Sequence, residues 1–197
     1  MIFQCAEETH LSTNNNLKID KSLRRATTNS LSVVHLIKKM FSHIDTDYLE
    51  ENSKDFGFVY TSFHGELNPT QTYLRNYAQE GLCRPFVFQN SLHHSTPGFA
   101  SSYFNFQGPA YTLTHQSNDL QVPTQLAHSL LAAGQAHSFL VIACDTMPTD
   151  LPIKDFIQED SLVCKGAILS NHDLLKSALK TSPRKVEMFA AAEATPC

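Results

Sequence analysis

Residues 108–145 read GPAYTLTHQSNDLQVPTQLAHSLLAAGQAHSFLVIACD, and this segment indicates the fold more clearly than any other. The Gly-Pro step at its start marks a turn, and Ala110–Thr114 is short and rich in strand-forming residues. A polar corner over residues 115–119 then leads into a segment whose apolar residues recur at helical spacing and which Gly134 ends. Ser138–Cys144 is nearly all apolar, as is typical of a strand covered on both faces. Strand, polar corner, helix and buried strand in this order predict a βαβ unit.

Other elements are predicted on both sides of this unit. Phe56–Phe63 has the aromatic and β-branched content of a strand, whereas we expect a loop over Asp45–Asp55. Asn29 or Ser30 is expected to cap a helix to about Phe41. The remaining predictions are a helix capped by Asn68 that runs from Pro69 to Gly81, a short buried helix over Pro97–Phe106, a last strand over Leu162–Leu169 and a final helix from Asn171 or Asp173 to about Lys180.

Length and composition indicate one globular domain. The chain has 197 residues, 42% of them hydrophobic and 17% charged, which is enough to bury a sizeable core. We divide it into a polar, loosely held arm over residues 1–20, a domain over 21–181 and a weakly ordered tail over 182–197. A net charge of −4 argues against nucleic acid as the main partner, and we interpret Lys21, Arg24 and Arg25 as a solvated helix edge.

The sequence also bears on compartment and metal binding. We recognise neither a signal peptide at the start nor an apolar run long enough to span a bilayer. The five cysteines are odd in number, widely scattered and without a CxxC pair. These features favour a reduced, cytoplasmic protein without a thiolate zinc site, and we expect no cofactor.

Several short motifs resemble one known family. Phe88–Gly98, which contains Ser91, His93, His94 and Gly98, is similar to an F-x-x-S-V-H-N-a-x-a-G motif. Gly108 and Pro109, the run from Leu130 to Asp145 and the step Lys165-Gly166-Ala167 occur in the order of the same family. The chain therefore resembles the β-ketoacyl synthase-like N-terminal domains over about residues 22–180. This resemblance implies an α/β fold that is half of a thiolase-like fold, with a mixed, mostly parallel sheet flanked by helices.

The chain departs from that family at the position of the nucleophile. The resemblance places the family's nucleophilic cysteine at Ser117, and a serine needs a positioned general base to attack a thioester. Pro123 indicates that the following helix starts near Val122, so its dipole is shifted away from Ser117. The family's two catalytic histidines lie in a C-terminal half that we expect to be missing here. His93, His94 and His115 do not match their positions.

Our first hypothesis is therefore a non-catalytic auxiliary subunit, comparable to chain-length factors, in a fatty-acid-like, polyene or polyketide pathway. Its partner is a full-length β-ketoacyl synthase in a heterodimer or a second copy in a homodimer, with an acyl carrier protein as a further possible contact. We expect the strand Ala110–Thr114 to pair with the partner across a two-fold axis. The expected interface residues are Ala110, Tyr111, Thr112, Leu113, Thr114, Leu126 and Leu130, with Leu131 also available.

Two alternatives stay open. The chain could be an acyltransferase or thioesterase in which His115 or His94 activates Ser117, although a third orienting group and a G-x-S-x-G elbow are not evident. A metal site could be built from His93, His94 and His115. Adjacent histidines of a regular helix cannot face one point, however, and no H-x-x-x-H spacing completes a ligand set. We therefore expect no metal.

Overall fold

The computed structural model of the chain describes residues 3–10, 21–82, 84–115, 119–145 and 163–171. Short 3-10 turns cover Lys21–Leu23 and Ser53–Asp55. The strands are β1 (Phe3–His10), β2 (Gly57–Thr61), β3 (Ala110–Leu113), β4 (Ser138–Cys144) and β5 (Val163–Ser170). The helices are α1 (Thr28–Phe41), α2 (Thr46–Asn52), α3 (Leu67–Glu80), α4 (Pro85–Asn90), α5 (Ser95–Phe104) and α6 (Gln121–Ala132).

The strands form one sheet in the order β1-β5-β4-β2-β3. β2 is parallel to both β3 and β4, while β5 is antiparallel to both β4 and β1. Four strands therefore point in one direction and β5 in the other. The predicted mixed, mostly parallel sheet is confirmed, and every residue of β4 is buried, as its apolar sequence indicated.

Helices cover both faces of the sheet. Successive strand residues point to opposite faces. Phe58 and Tyr60 of β2 pack in one cluster with α1, whereas Val59 packs in a second cluster with α6. Leu36 of α1 and Leu131 of α6 are both buried. The prediction of a sheet flanked by helices is confirmed, and no helix in the described part of the chain is long and apolar enough to cross a membrane.

The expectation of a loose arm is wrong for Phe3–His10. These residues form β1, which pairs along its whole length with β5. Its backbone closes an edge of β5 that would otherwise leave N–H and C=O groups without partners, so the ladder does not depend on an apolar sequence. The predicted final helix and the tail over 182–197 lie outside the described residues.

The starts of three helices differ from the predictions, and at α1 the reason is a contact of the expected cap residue. Thr27 caps α1, and its Oγ1 accepts a hydrogen bond from the N–H of Ser30 at 3.1 Å. Asn29, the expected cap, instead donates to the carbonyl of Gly65 at 2.9 Å. α3 begins after Glu66 rather than at Pro69, but ends before Gly81, as predicted. The expected loop over Asp45–Asp55 contains α2, which Asp45 caps. No element was predicted for the residues of α4, and α5 begins two residues earlier than predicted.

Candidate functional site

Polar residues follow β2, β3 and β4, the three strands that pair in parallel, at one edge of the sheet. Ser62–Glu66 come after β2, Thr114 and His115 after β3, and Asp145 after β4. In open α/β sheets, ligands bind outside the carboxyl ends of the strands. This edge is therefore the region in which a site should be sought.

Asp145 joins the end of β4 to the turn after β2. Its Oδ1 accepts hydrogen bonds from Ser62 Oγ at 2.5 Å and from the His64 N–H at 2.9 Å, and its Oδ2 accepts one from the Phe63 N–H at 3.0 Å. Asp145 is 4% exposed. Hydrogen bonds to a charged, buried group are strong, so this carboxylate fixes the shape of the turn.

Glu66 lies where the N-termini of three helices meet. It occupies the N-cap position of α3, and Thr96, the second residue of α5, donates a hydrogen bond to its Oε1. Thr96 also contacts Ser30 of α1, with 3.0 Å between the two hydroxyl oxygens. Burial raises the pKa of the Glu66 carboxyl, and hydrogen bonds from Thr96, Thr27 and Asn29 oppose this shift. The network ties the starts of α1, α3 and α5 together.

His93 is held over the same turn. A Cβ at Gly65 would come within 2.4 Å of His93 Nδ1, and Gly65 has a φ of 60°, so both the ring and the backbone require glycine there. His93 Nε2 is 3.3 Å from Thr114 Oγ1. His93 therefore bridges the turn after β2 and the end of β3.

The three histidines proposed as metal ligands, His93, His94 and His115, differ in their exposure to solvent. His94 is exposed at the start of α5, whereas His93 and His115 are half-buried. Among the described residues, no group of three or more His, Cys, Asp or Glu side chains could hold a metal ion. The geometry gives the histidine metal site no support.

Ser117 lies outside the described residues, but the helix that follows it is defined. α6 begins at Gln121, with Pro123 buried in its first turn, and Asp119 Oδ1 accepts a hydrogen bond from the Gln121 N–H at 3.0 Å. The predicted start near Val122 is confirmed to within a residue. The positive end of the helix therefore begins four residues after Ser117.

The motif residues that the structure describes have local structural roles. Ser91 Oγ donates to the carbonyl of Phe88 at 2.7 Å. A Cβ at Gly108 would lie 2.4 Å from the carbonyl oxygen of Phe56, and the carbonyl of Pro109 accepts a hydrogen bond from the Phe58 N–H at 2.8 Å. Gly108 and Pro109 thus bring the start of β3 against β2. At Gly98, in contrast, a Cβ would meet no atom within 4 Å.

The expected interface residues lie on an edge strand and on α6. β3 is the last strand of the sheet, with Ala110 and Thr114 exposed and Tyr111, Thr112 and Leu113 half-buried. Leu126 and Leu130 are also half-buried. Leu131, in contrast, is 3% exposed because it packs against Val59 and β4 in the core. The expectation that Leu131 is available to a partner is wrong.

The hydroxyl groups of this edge are engaged in structural hydrogen bonds. Ser62 is 2% exposed, donates to Asp145 and accepts from the N–H of Gly65 at 2.8 Å. A serine nucleophile needs access to substrate and a general base beside it. Ser62 lacks that access, because it is buried, and its hydrogen bonds to Asp145 and Gly65 shape the turn.

Sequence reasoning missed Ser62, Glu66 and Thr96 and gave Asp145 no role. One signal was present: polar residues directly after buried strands mark the carboxyl edge of a parallel sheet. The predicted strand over Phe56–Phe63 ran two residues past the end of β2 and hid the turn. The pairing of Glu66 with Thr96 joins residues 30 apart and has no local pattern.

Comparisons with known proteins agree with this fold. Residues 22–194 match the family model described as "Beta-ketoacyl synthase, N-terminal domain". No curated protein matches the sequence. The chain is similar to the ketosynthase ApeO in complex with its chain length factor ApeC from Xenorhabdus doucetiae, with 20% identity, a TM-score of 0.62, and coverage of 80% of this chain and 63% of that one.

Two further solved structures are similar. The ishigamide ketosynthase/chain length factor has 12% identity and a TM-score of 0.66, with coverage of 83% of this chain and 48% of that one. AntDE:AntF, a type II polyketide synthase acyl-carrier protein in complex with its ketosynthase, has 14% identity and a TM-score of 0.70, with coverage of 86% and 55%. This chain thus spans between 48% and 63% of the length of these three structures.

Proposed function

The chain belongs to the family of β-ketoacyl synthase N-terminal domains, and from this premise we propose that it is an auxiliary subunit that pairs with an active, full-length ketosynthase. In this role it does not catalyse condensation itself. It completes or bounds the pocket that holds the growing chain in a fatty-acid-like, polyene or polyketide pathway. Two of the similar structures are described as a ketosynthase with a chain length factor, which supports a pair of related subunits.

The observation that carries the proposal is the outer edge of β3. The Phe58 N–H donates to the carbonyl of Pro109 and the Ser62 N–H to that of Leu113, at 2.8 and 3.3 Å. Alternate residues of a parallel strand face its neighbour, so the backbone groups of Thr112 point away from β2. β3 contains no lysine and no proline, the residues that commonly protect an edge strand. This edge is suited to pairing with a strand of another subunit.

α6 supports a larger contact next to this edge. Leu126 and Leu130 pack only partly against the core cluster of Val59, and Val122 is 37% exposed. The surface that a four-residue strand can bury on its own is small compared with the roughly 1,600 Å² that specific complexes bury. Together with α6 it offers both hydrogen-bonding and apolar surface.

The position of Ser117 supports the non-catalytic part of the proposal. In a condensing enzyme the nucleophile must be ionised or deprotonated as it attacks a thioester. Serine is a weak nucleophile at neutral pH, and α6 begins four residues beyond it. Ser62, the buried hydroxyl of the sheet edge, is committed to Asp145.

Pairing is tested with Thr112→Pro. This change removes one outward N–H and leaves the β2 ladder intact, because that N–H does not face β2. We expect the wild-type chain, co-expressed with a full-length ketosynthase of the same genome, to elute as a heterodimer by size-exclusion chromatography with light scattering. Thr112→Pro should elute as a folded monomer. A wild-type chain that stays a folded monomer beside the ketosynthase would contradict the proposal.

Catalysis is tested at Ser117. Incubation with an acyl-loaded carrier protein should leave the intact mass of the chain unchanged. Acyl transfer that the Ser117→Ala substitution abolishes would overturn the non-catalytic proposal and favour an acyltransferase or thioesterase.

A further inference from the structure

Two cysteines lie side by side at the end of the sheet next to the turn that Asp145 organises. Cys144 is the last residue of β4, and Cys164 is the second residue of β5. The two strands are antiparallel, and their register places Cys144 directly opposite Cys164. Both carry reduced thiols. Directly opposite residues have their side chains on the same face of a sheet, so the two thiols are neighbours.

The geometry of this pair fits a cross-strand disulfide. Opposite residues of antiparallel strands have their Cα atoms about 4.5 or 5.5 Å apart, and disulfides join cysteines whose Cα atoms are about 4.4–6.8 Å apart. A hydrogen bond between the two thiols, together with burial, raises the pKa of Cys144. The sulfur atoms are therefore already in contact, and a bond between them requires no change in the register of the strands.

The other cysteines do not share this arrangement in the part of the chain that the structure describes. Cys5 of β1 lies opposite Ile168 of β5, whereas Cys83 and Cys197 are outside the described residues. The register of β4 and β5 thus selects one pair among the five cysteines of the chain.

Burial limits which reagents reach the pair. Cys144 is 1% exposed and Cys164 is 2% exposed, and both pack in the core cluster with Leu36 and Ile168. A buried, protonated thiol is a poor nucleophile towards a bulky acyl thioester. Hydrogen peroxide, in contrast, is close to water in size, and strand ends open locally at a lower free energy than the centre of a sheet. The position of the pair at the end of both strands therefore favours a small oxidant.

Metal binding is not supported at this position. A structural zinc site needs ligands beyond two thiolates, and the described residues contain no group of three or more His, Cys, Asp or Glu side chains that could hold a metal ion. A disulfide needs only the two sulfur atoms that are in contact.

We propose that Cys144 and Cys164 form a reversible disulfide when the folded chain meets hydrogen peroxide. One thiol reduces the peroxide, which releases water, and is itself oxidised to a sulfenic acid. The second sulfur then attacks the sulfenic sulfur. The S–S bond forms as the S–O bond breaks, and the departing hydroxide leaves as water with the proton of the second thiol. One peroxide and two thiols thus give one disulfide and two waters, and an external dithiol reverses the step by exchange.

The disulfide would link β4 to β5 immediately before Asp145. The carbonyl of Cys144 also accepts a hydrogen bond from the Tyr60 hydroxyl at 3.1 Å, so the bond would form at a position that is already fixed to β2. A covalent link between the two strands closes a loop and lowers the entropy of the unfolded chain. We expect the oxidised chain to be the more stable form. This chemistry is independent of pairing through β3, so either proposal can fail without the other.

The test uses the full chain with Cys5→Ser, Cys83→Ser and Cys197→Ser, which keeps only the proposed pair, and the wild type in parallel. The folded protein is treated with hydrogen peroxide, the remaining thiols are alkylated in urea, and a non-reduced digest is analysed by mass spectrometry. We expect both thiols to be lost and one linked peptide pair, joined through Cys144 and Cys164, to appear. Dithiothreitol should restore both thiols. The midpoint of urea unfolding should be higher for the oxidised form than for the reduced form.

A matched control moves one thiol by a single residue. In Ala143→Cys/Cys144→Ala the new thiol is opposite Lys165 in the register. It lies on the other face of the sheet from Cys164, because successive strand residues alternate. The number of cysteines is unchanged, so this variant should give no link to Cys164 while circular dichroism shows it to be folded.

Four results would overturn the proposal. They are thiols that stay reduced in the folded chain at a peroxide concentration that oxidises them in urea, oxidation to sulfinic acid without a link, a link in the shifted control as abundant as in its parent, and an oxidised chain with a lower urea midpoint than the reduced chain. The first result would assign the two cysteines a packing role alone, and the last would show that the bond distorts the sheet.

Discussion

Replacing Asp145 tests whether this carboxylate holds the sheet edge together. In Asp145→Asn, Oδ1 can still accept from Ser62 Oγ and the His64 N–H, but the new amide nitrogen replaces Oδ2 and faces the Phe63 N–H, 3.0 Å from it in the wild type. One hydrogen bond is lost and two donors oppose each other. A buried donor without a partner costs about 1–3 kcal/mol, and the remaining hydrogen bonds are made to a neutral amide instead of a carboxylate. We expect the free energy of unfolding to fall by about 2–4 kcal/mol, the sum of the unpaired donor and the weakened hydrogen bonds.

The matched control is Asp45→Asn. Asp45 Oδ1 caps α2 by accepting from the exposed Asp47 N–H at 2.8 Å, and asparagine is an equally good N-cap residue. Urea unfolding followed by circular dichroism measures both variants. For a chain of this size, the loss at Asp145 should also lower the melting temperature by roughly 2–4 °C per kcal/mol. An Asp145→Asn variant as stable as the control would show that the carboxylate does not organise the turn.

The other predictions concern two glycines and one buried acid. Gly108→Ala should destabilise the chain by about 1–3 kcal/mol, because its Cβ would lie 2.4 Å from the backbone carbonyl of Phe56. Gly98→Ala, whose Cβ would meet no atom within 4 Å, should instead stabilise α5 by about 0.5–1 kcal/mol. Urea unfolding of both variants compares the two effects. Burial raises the pKa of Glu66 above its usual 4.5, so the folded chain holds the Glu66 proton more tightly than the unfolded chain does. The contribution of Glu66 to the free energy of unfolding is therefore fully present below pH 4.5 and is lost as the pH rises through the folded-state pKa. Glu66→Gln should flatten this decline in unfolding experiments from pH 4.5 towards neutrality, whereas an unchanged pH profile would show that Glu66 does not titrate in this range.

Local sequence patterns predicted the elements whose burial is simple. β4 was evident because all seven of its residues are buried, and Pro123 and Gly134 marked the two ends of α6. β1 was missed because an edge strand gains its stability from backbone pairing with β5, which a polar sequence permits. Apolar periodicity finds strands that bury side chains and overlooks those that mainly complete a ladder.

The candidate site was less predictable because it depends on contacts between distant residues. Asn29 is a good helix cap by type, but it donates to Gly65, 36 residues away, which left Thr27 to cap α1. Glu66 and Thr96 meet only because the starts of α3 and α5 converge in the folded chain. Leu131 was expected to reach a partner, whereas the rotation of α6 on the sheet places it in the core.

We propose that the chain pairs with a ketosynthase through β3. Hydrogen–deuterium exchange of the chain, measured alone and with the ketosynthase, reports on this pairing residue by residue. We expect slower exchange in peptides that cover residues 110–114 when the ketosynthase is present, because the outward N–H of Thr112 becomes hydrogen-bonded. A complex that forms while exchange over residues 110–114 stays the same would show that the ketosynthase does not pair with β3.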